Sequence, residues 1–179
     1  MKNLLTLLAI FITSISFGQK LRYDKVDDYK HERIIQHQAS QVRTWMVSDG
    51  ITKNFLKRNI YLMTHIVQNT NTKEADVFLT LDVRDKTKIC SSEGNEAIIT
   101  LNNGHLVKLT QSSKTECGTE INIKFLLNET QIKQLSNYDA TNIRIYLNDG
   151  YTNREIKEKS KQVIKKTLQM TADKLKEIE

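Results

Sequence analysis

Hydrophobic residues recur at every second position through much of this chain, and a period of two predicts a protein built mainly from β-strands. The alternation is clearest in ADVFLTLDVRD, where Val77, Leu79, Leu81 and Val83 share one face and Phe78, Thr80 and Asp82 the other. Such a strand buries one side and turns the other outward. Between Asn59 and Val67 both faces are partly apolar, with Ile60, Leu62 and Ile66 opposed to Tyr61, Met63, His65 and Val67, which suits an inner strand. Ile121, Ile123, Phe125 and Leu127 alternate again, as do Ile143, Ile145 and Leu147. Ala97 to Leu101 and Leu106 to Leu109 flank Asn103-Gly104, the strongest short-range signal for a tight two-residue hairpin turn.

The region before Asn59 is less periodic. KLRYDKVDDYKHE, over 20–32, reads as a charged surface lead-in with room for a short edge strand. RIIQHQASQVRTWMV, over 33–47, fits a strand through Ile35, His37 and Ala39 and a helix through Ile34, Val42 and Met46; strand is the preferred reading. Two helices are expected. Asn128 with Gln131 has capping-box spacing and launches a short helix through Ile132 and Leu135. Thr152 with Glu155 repeats that spacing and predicts a terminal helix over 153–177. On it Ile156, Ser160, Val163, Ile164, Thr167, Leu168, Thr171 and Leu175 fall on one side, with Lys, Glu and Gln opposite. The expected fold is therefore mainly β (α+β): an antiparallel sheet or β-sandwich of about seven strands, with one short helix and a C-terminal amphipathic helix packed on it.

Residues 1–18, MKNLLTLLAIFITSISFG, follow a different pattern. Lys2 supplies a positive start, Leu4 to Phe17 an apolar run, and Ser16 with Gly18 the small residues before a cut at Gln19; this is the form of a signal peptide. Removing it leaves 19–179 as a single β-rich domain. The apolar run is too short and too rich in hydroxyls to span a bilayer, and no later stretch approaches the roughly 20 residues required. The first cysteine is Cys90, so the cysteine that lipoprotein anchoring needs at the cut is missing. The expected product is soluble, not lipid-anchored and not integral to the membrane, and in a Gram-negative cell it is periplasmic or secreted.

Composition narrows the function classes. The 27 Lys and Arg against 21 Asp and Glu give a net charge of +6, but the two signs are interspersed. A nucleic-acid binder concentrates its basic residues in a stripe with aromatics among them, so no nucleic-acid partner is expected. His31, His37, His65 and His105 match no zinc spacing, and Asp24, Asp27 and Asp28 lack the oxygens and turn glycine of a calcium loop. No GxSxG elbow, phosphate loop or GxGxxG is present. No catalytic, metal or cofactor residue is therefore assigned, and no cofactor is expected. The features left over are Trp45, the only tryptophan, and Lys157, Lys161, Lys165 and Lys166 on the polar side of the terminal helix. They form a candidate interaction surface.

Two cysteines in an exported chain are expected to be bridged. With Asn103 and Gly104 as the turn residues, pairing continued outward along that hairpin sets Cys90 opposite Cys117. Closing the loop between them would stabilise by roughly 3–4 kcal/mol in the chain-entropy model. The bridge is read as structural, because a redox-active thiol needs a CxxC pair or a helix N-terminus beside it.

Over residues 75–175 the succession VFLTLDV, LNNGHLVKL, INIKFLLNETQIKQLSN and TNIRIYLNDGYTNREIKEKSKQVIKKTL resembles a group of small uncharacterised exported proteins of Bacteroidota. The most specific piece is the IRIY-x-x-DGY run leading into the basic helix. The resemblance implies an exported β-rich domain of unknown function closed by a C-terminal helix, with no catalytic residues to carry over. The expected function is a non-enzymatic binding or interaction module of the bacterial cell envelope, engaging an envelope protein or small ligand through its sheet. A small lipocalin-like carrier of an apolar ligand is the alternative, and a hydrolase the third option.

Overall fold

The computed structural model describes residues 20–42, 44–46 and 59–178, with side chains over 24–37 and 59–178, so the expected signal peptide 1–18 lies outside the described residues. Two antiparallel sheets account for most of it. The first carries β1 (Lys20–Asp27), β2 (Glu32–Val42), β4 (Asn59–Asn69), β5 (Ala75–Ser91) and β8 (Glu116–Leu127), in the order β1-β2-β4-β5-β8. The second carries β3 (Thr44–Met46), β6 (Glu96–Leu101), β7 (Leu106–Thr110), β9 (Ala140–Leu147) and β10 (Gly150–Ile156), in the order β3-β10-β9-β6-β7. Helices α1 (Glu129–Asn137) and α2 (Glu158–Ile178) complete the fold. The mainly β class expected from the alternation is the one observed, and β1, β3 and β10 are the strands beyond the seven expected.

The period of two decides the layers. Ile60, Leu62 and Ile66 of β4, Leu79 and Leu81 of β5 and Ile123 and Phe125 of β8 are buried on one face of the first sheet. They share a core with Ile99 of β6, Leu109 of β7 and Ile143 and Ile145 of β9. Helix α2 adds Ile164 and Leu168 to the same core, each contributing about 1.5–3 kcal/mol by burial. Helix α1 starts where the sequence places it. The Asn128 side chain accepts from the Gln131 N–H at 2.9 Å, and the Gln131 side chain accepts from the Asn128 N–H at 3.0 Å, the reciprocal pair of a capping box.

The terminal helix begins at Glu158 rather than at 153, and the Thr152 and Glu155 spacing is not a cap. Thr152 pairs with Ile145 and Glu155 with Asn142, inside a hairpin turned at Asn148–Asp149. Gly150 sits at φ +128°, a conformation open to glycine and costly for other residues. Thr152 and Ile156 then alternate inward and are buried. A ladder of backbone hydrogen bonds with a buried face outweighs a cap worth about 1 kcal/mol.

The Asn103-Gly104 hairpin also differs from expectation. Thr100 pairs with Leu106 and the Leu101 N–H donates to His105 O at 2.9 Å, so the loop is Asn102–Gly104 with Gly104 at φ +83°. That shifts the pairing by one residue from a two-residue turn. Cys90 and Cys117 nevertheless form a disulfide, with Cα atoms 4.2 Å apart. They meet as partners across β5 and β8, after a register shift between Arg84 and Ile89, and not along the β6–β7 hairpin. The bridge ties the place where the chain leaves the first sheet to the place where it returns. Between those points Gly94 N–H donates to Gln111 O, Gln111 N–H to Asn95 O, and the buried Ser91 hydroxyl to the Gln111 side chain.

Helix α2 is fastened to the inner side of β2 and β4 by polar contacts as well as apolar ones. The Thr171 hydroxyl donates to Thr167 O at 2.9 Å and lies 2.6 Å from the Thr64 hydroxyl and 3.3 Å from His37 Nδ1. Having spent its proton, Thr171 must accept from both neighbours, so His37 carries a proton on Nδ1. Burial holds the His37 imidazole below its ordinary value of 6.5, and the nearby Lys174 ammonium acts in the same direction. As pH falls below that value the unfolded chain takes up this proton before the folded one, so stability present at neutral pH is lost on acidification. Denaturant midpoints measured between about pH 7.5 and 5 should fall for the wild type and fall less for His37→Gln; equal slopes would remove His37 as the cause.

Candidate functional site

The outer face of the first sheet is where the sequence pattern leaves polar groups without a role in the core. Phe78, Thr80, Asp82 and Arg84 of β5 point there because Val77, Leu79, Leu81 and Val83 point inward. Register extends them into rungs across the neighbouring strands. His65, Phe78 and Leu126 form one rung, Met63, Thr80 and Lys124 the next, and Tyr61, Asp82 and Asn122 the third. Successive rungs on one face are about 6.8 Å apart.

β8 is the last strand of its sheet, and its open edge is covered by the connector running down from β7. Ser112 N–H donates to Lys124 O at 2.8 Å, the Lys124 N–H to Ser113 Oγ at 3.3 Å, and the Asn122 N–H to Glu116 Oε2 at 2.7 Å. Side chains thus stand in for a neighbouring strand, which protects an edge that would otherwise invite pairing with another chain. Between this connector and the middle rung lies a recess of about 430 Å³. Met63, His65 and Thr80 contribute from β4 and β5, Ser113, Lys114 and Thr115 from the connector, and Glu116, Asn122 and Lys124 from β8.

Thr80 stands out within the recess. It is 1% exposed, and among the described residues its hydroxyl has no hydrogen-bond partner. Leaving such a group unmatched costs about 1–3 kcal/mol. The neighbouring rung is satisfied by contrast: Arg84 bonds Asp82 at 2.7 Å and Glu120 at 3.0 Å, and its guanidinium lies 4.7 Å from the centre of the Tyr61 ring. Those carboxylates are committed to Arg84. Among the described residues no cluster of three or more His, Cys, Asp or Glu side chains is placed to hold a metal ion. The recess offers hydroxyl, amide and ammonium donors, and Glu116, the carboxylate in its lining, is turned onto the Asn122 backbone.

The residues singled out from sequence lie elsewhere. Helix α2 packs on the inner side of the first sheet, so its lysines and the recess are on opposite sides of that sheet. Lys161 bonds Glu158 at 2.9 Å and Lys165 lies 3.5 Å from Asp139, while Lys166 is exposed and Lys157 makes contacts of its own. Trp45 pairs with Glu155 through the β3–β10 ladder, and its side chain lies outside the described residues. His65 is the one histidine of four that reaches the recess. Thr80 and Lys124 went unmarked in the sequence because a polar residue on an outward position is the ordinary case. Only the fold of 111–116 over β8 gives them a common cavity.

No family model, curated protein or solved structure matches this chain. No helix among the described residues is long and apolar enough to cross a membrane, and the Cys90–Cys117 disulfide fits a non-reducing compartment.

Proposed function

We propose that this chain is a non-enzymatic binding module of the bacterial envelope, periplasmic or secreted, which takes a small polar ligand or ligand headgroup in the recess over Thr80. The observation that carries this reading is the buried Thr80 hydroxyl, without a partner among the described residues, in a cavity whose lining includes the donors of Lys114, Asn122 and Lys124. A group that costs stability in the free protein is what a binding site retains for its ligand. Export is supported by the signal-like residues 1–18 and by the disulfide.

The rival readings have less support. A lipocalin-like carrier needs room between the sheets, where Leu79, Leu109 and Phe125 are fully buried and α2 contributes Ile164 and Leu168 to the same core. A hydrolase needs a nucleophile held by a base, whereas Ser113 and Glu116 accept from the β8 backbone.

Thr80→Val tests the reading because it keeps the shape and removes the hydroxyl. The ligand-free variant should gain about 1 kcal/mol of unfolding free energy, measured in denaturant. Native mass spectrometry of protein purified from its own host should show a bound small molecule on the wild type and none on the variant. A variant that is no more stable, or that carries the same adduct as the wild type, would count against the recess.

A further inference from the structure

Beside the polar rung of the recess, on the same face, lies the rung of His65, whose other two members, Phe78 and Leu126, are apolar. Phe78 is partly exposed and Leu126 is 47% exposed, and one step further along β4 comes Val67, paired with Ile34 of β2, both partly exposed. The track from the Thr80 rung to the Val67 rung covers four strand positions, or about 13 Å. At its recess end stand Lys114 and Lys124, while the one lining carboxylate, Glu116, faces the Asn122 N–H. Cationic donors at one end of an open apolar strip complement a molecule with an acidic head and an apolar tail.

Resting on the binding reading above, we infer that the ligand is an anionic amphiphile, its carboxylate or phosphate head held by Lys114, Lys124 and Thr80 and its chain laid over Phe78 and Leu126. A small inorganic anion would use the recess and ignore the track. A neutral apolar ligand would use the track and leave the lysines unmatched. The sheet face is open on one side, so each methylene loses only part of its contact with water. Affinity should then rise about two-fold per methylene, against about four-fold for full burial.

Isothermal titration of the protein as secreted, with butyrate, hexanoate and decanoate below their micelle concentrations, reads this directly. Decanoate should bind at least ten-fold more tightly than butyrate. Lys124→Glu should weaken decanoate ten-fold or more, and Leu126→Asn, on an exposed position, should flatten the dependence on chain length. Decyl phosphate and inorganic phosphate form the remaining arms: the preferred ten-carbon ligand separates a carboxylic head from a phosphoryl one. Butyrate or inorganic phosphate binding as tightly as decanoate, or a chain-length dependence that survives Leu126→Asn, overturns the amphiphile and leaves the recess reading intact. If no acid binds, the amphiphile is overturned and the recess reading stands or falls on the Thr80→Val measurements; if all bind Thr80→Val as they bind the wild type, the recess reading falls with it.

Discussion

Replacing Cys90 and Cys117 together by Ser should lower the unfolding free energy by roughly 3–4 kcal/mol, acting mainly through the unfolded chain. The bridge closes a loop with a sequence separation of 27, and that loop holds the whole of β6 and β7 together with the β5–β6 and β7–β8 crossings between the sheets. Without the bridge, the unfolded chain regains the freedom of that loop. In the folded protein the crossings keep their hydrogen bonds, among them Asn148 N–H to Cys90 O at 3.0 Å and Asn148 Nδ2 to Ser92 Oγ at 2.9 Å. The native fold should therefore persist, with a melting temperature lower by about 2–4 °C for each kcal/mol lost. Cys117 is exposed, so thiol reductants should reach the bridge and bring the wild type down to the level of the double variant. Coincident melting of wild type and variant in non-reducing buffer would show that the link contributes nothing.

That bridge also shows which parts of the fold the sequence exposes and which it conceals. The partners were legible because two cysteines admit one pairing within the chain. The ladder was not, because the β5–β8 register depends on irregular backbone between Arg84 and Ile89 that no side-chain pattern marks. β4, β5 and the inner face of β8 were legible for the physical reason that a half-buried strand must alternate. β10 was hidden because GYTNREI has few apolar residues and its Thr152 and Glu155 imitate a cap; only the turn at Asn148–Asp149 and the burial of Thr152 reveal the strand. The candidate site was the least legible part. Met63, Thr80 and Lys124 come from three strands far apart in sequence, and their meeting is a consequence of register, which a local pattern cannot supply.

Register has a sharp experimental signature at Phe125 and Leu126. Phe125 is among the largest fully buried side chains and pairs with Leu79, while Leu126, one residue on, is 47% exposed and pairs with Phe78. Phe125→Ala removes most of an aromatic ring from a core that both sheets and α2 share, and should cost about 3–5 kcal/mol, the transfer energy of the lost atoms plus the cavity they leave. Phe125→Leu should recover much of that loss, because it keeps an apolar group in the space. Leu126→Ala should lie within about 0.5 kcal/mol of the wild type, as outward substitutions generally do. A slip of β8 by one residue would turn every side chain of the strand to the opposite face. The two costs would then exchange, Lys124 would point into the core, and the recess over Thr80 would lose its cation. Urea unfolding of the Phe125→Ala and Leu126→Ala variants therefore tests the register and the placement of the site together, since the same alternation that buries Phe125 is what carries Lys124 to the outer face.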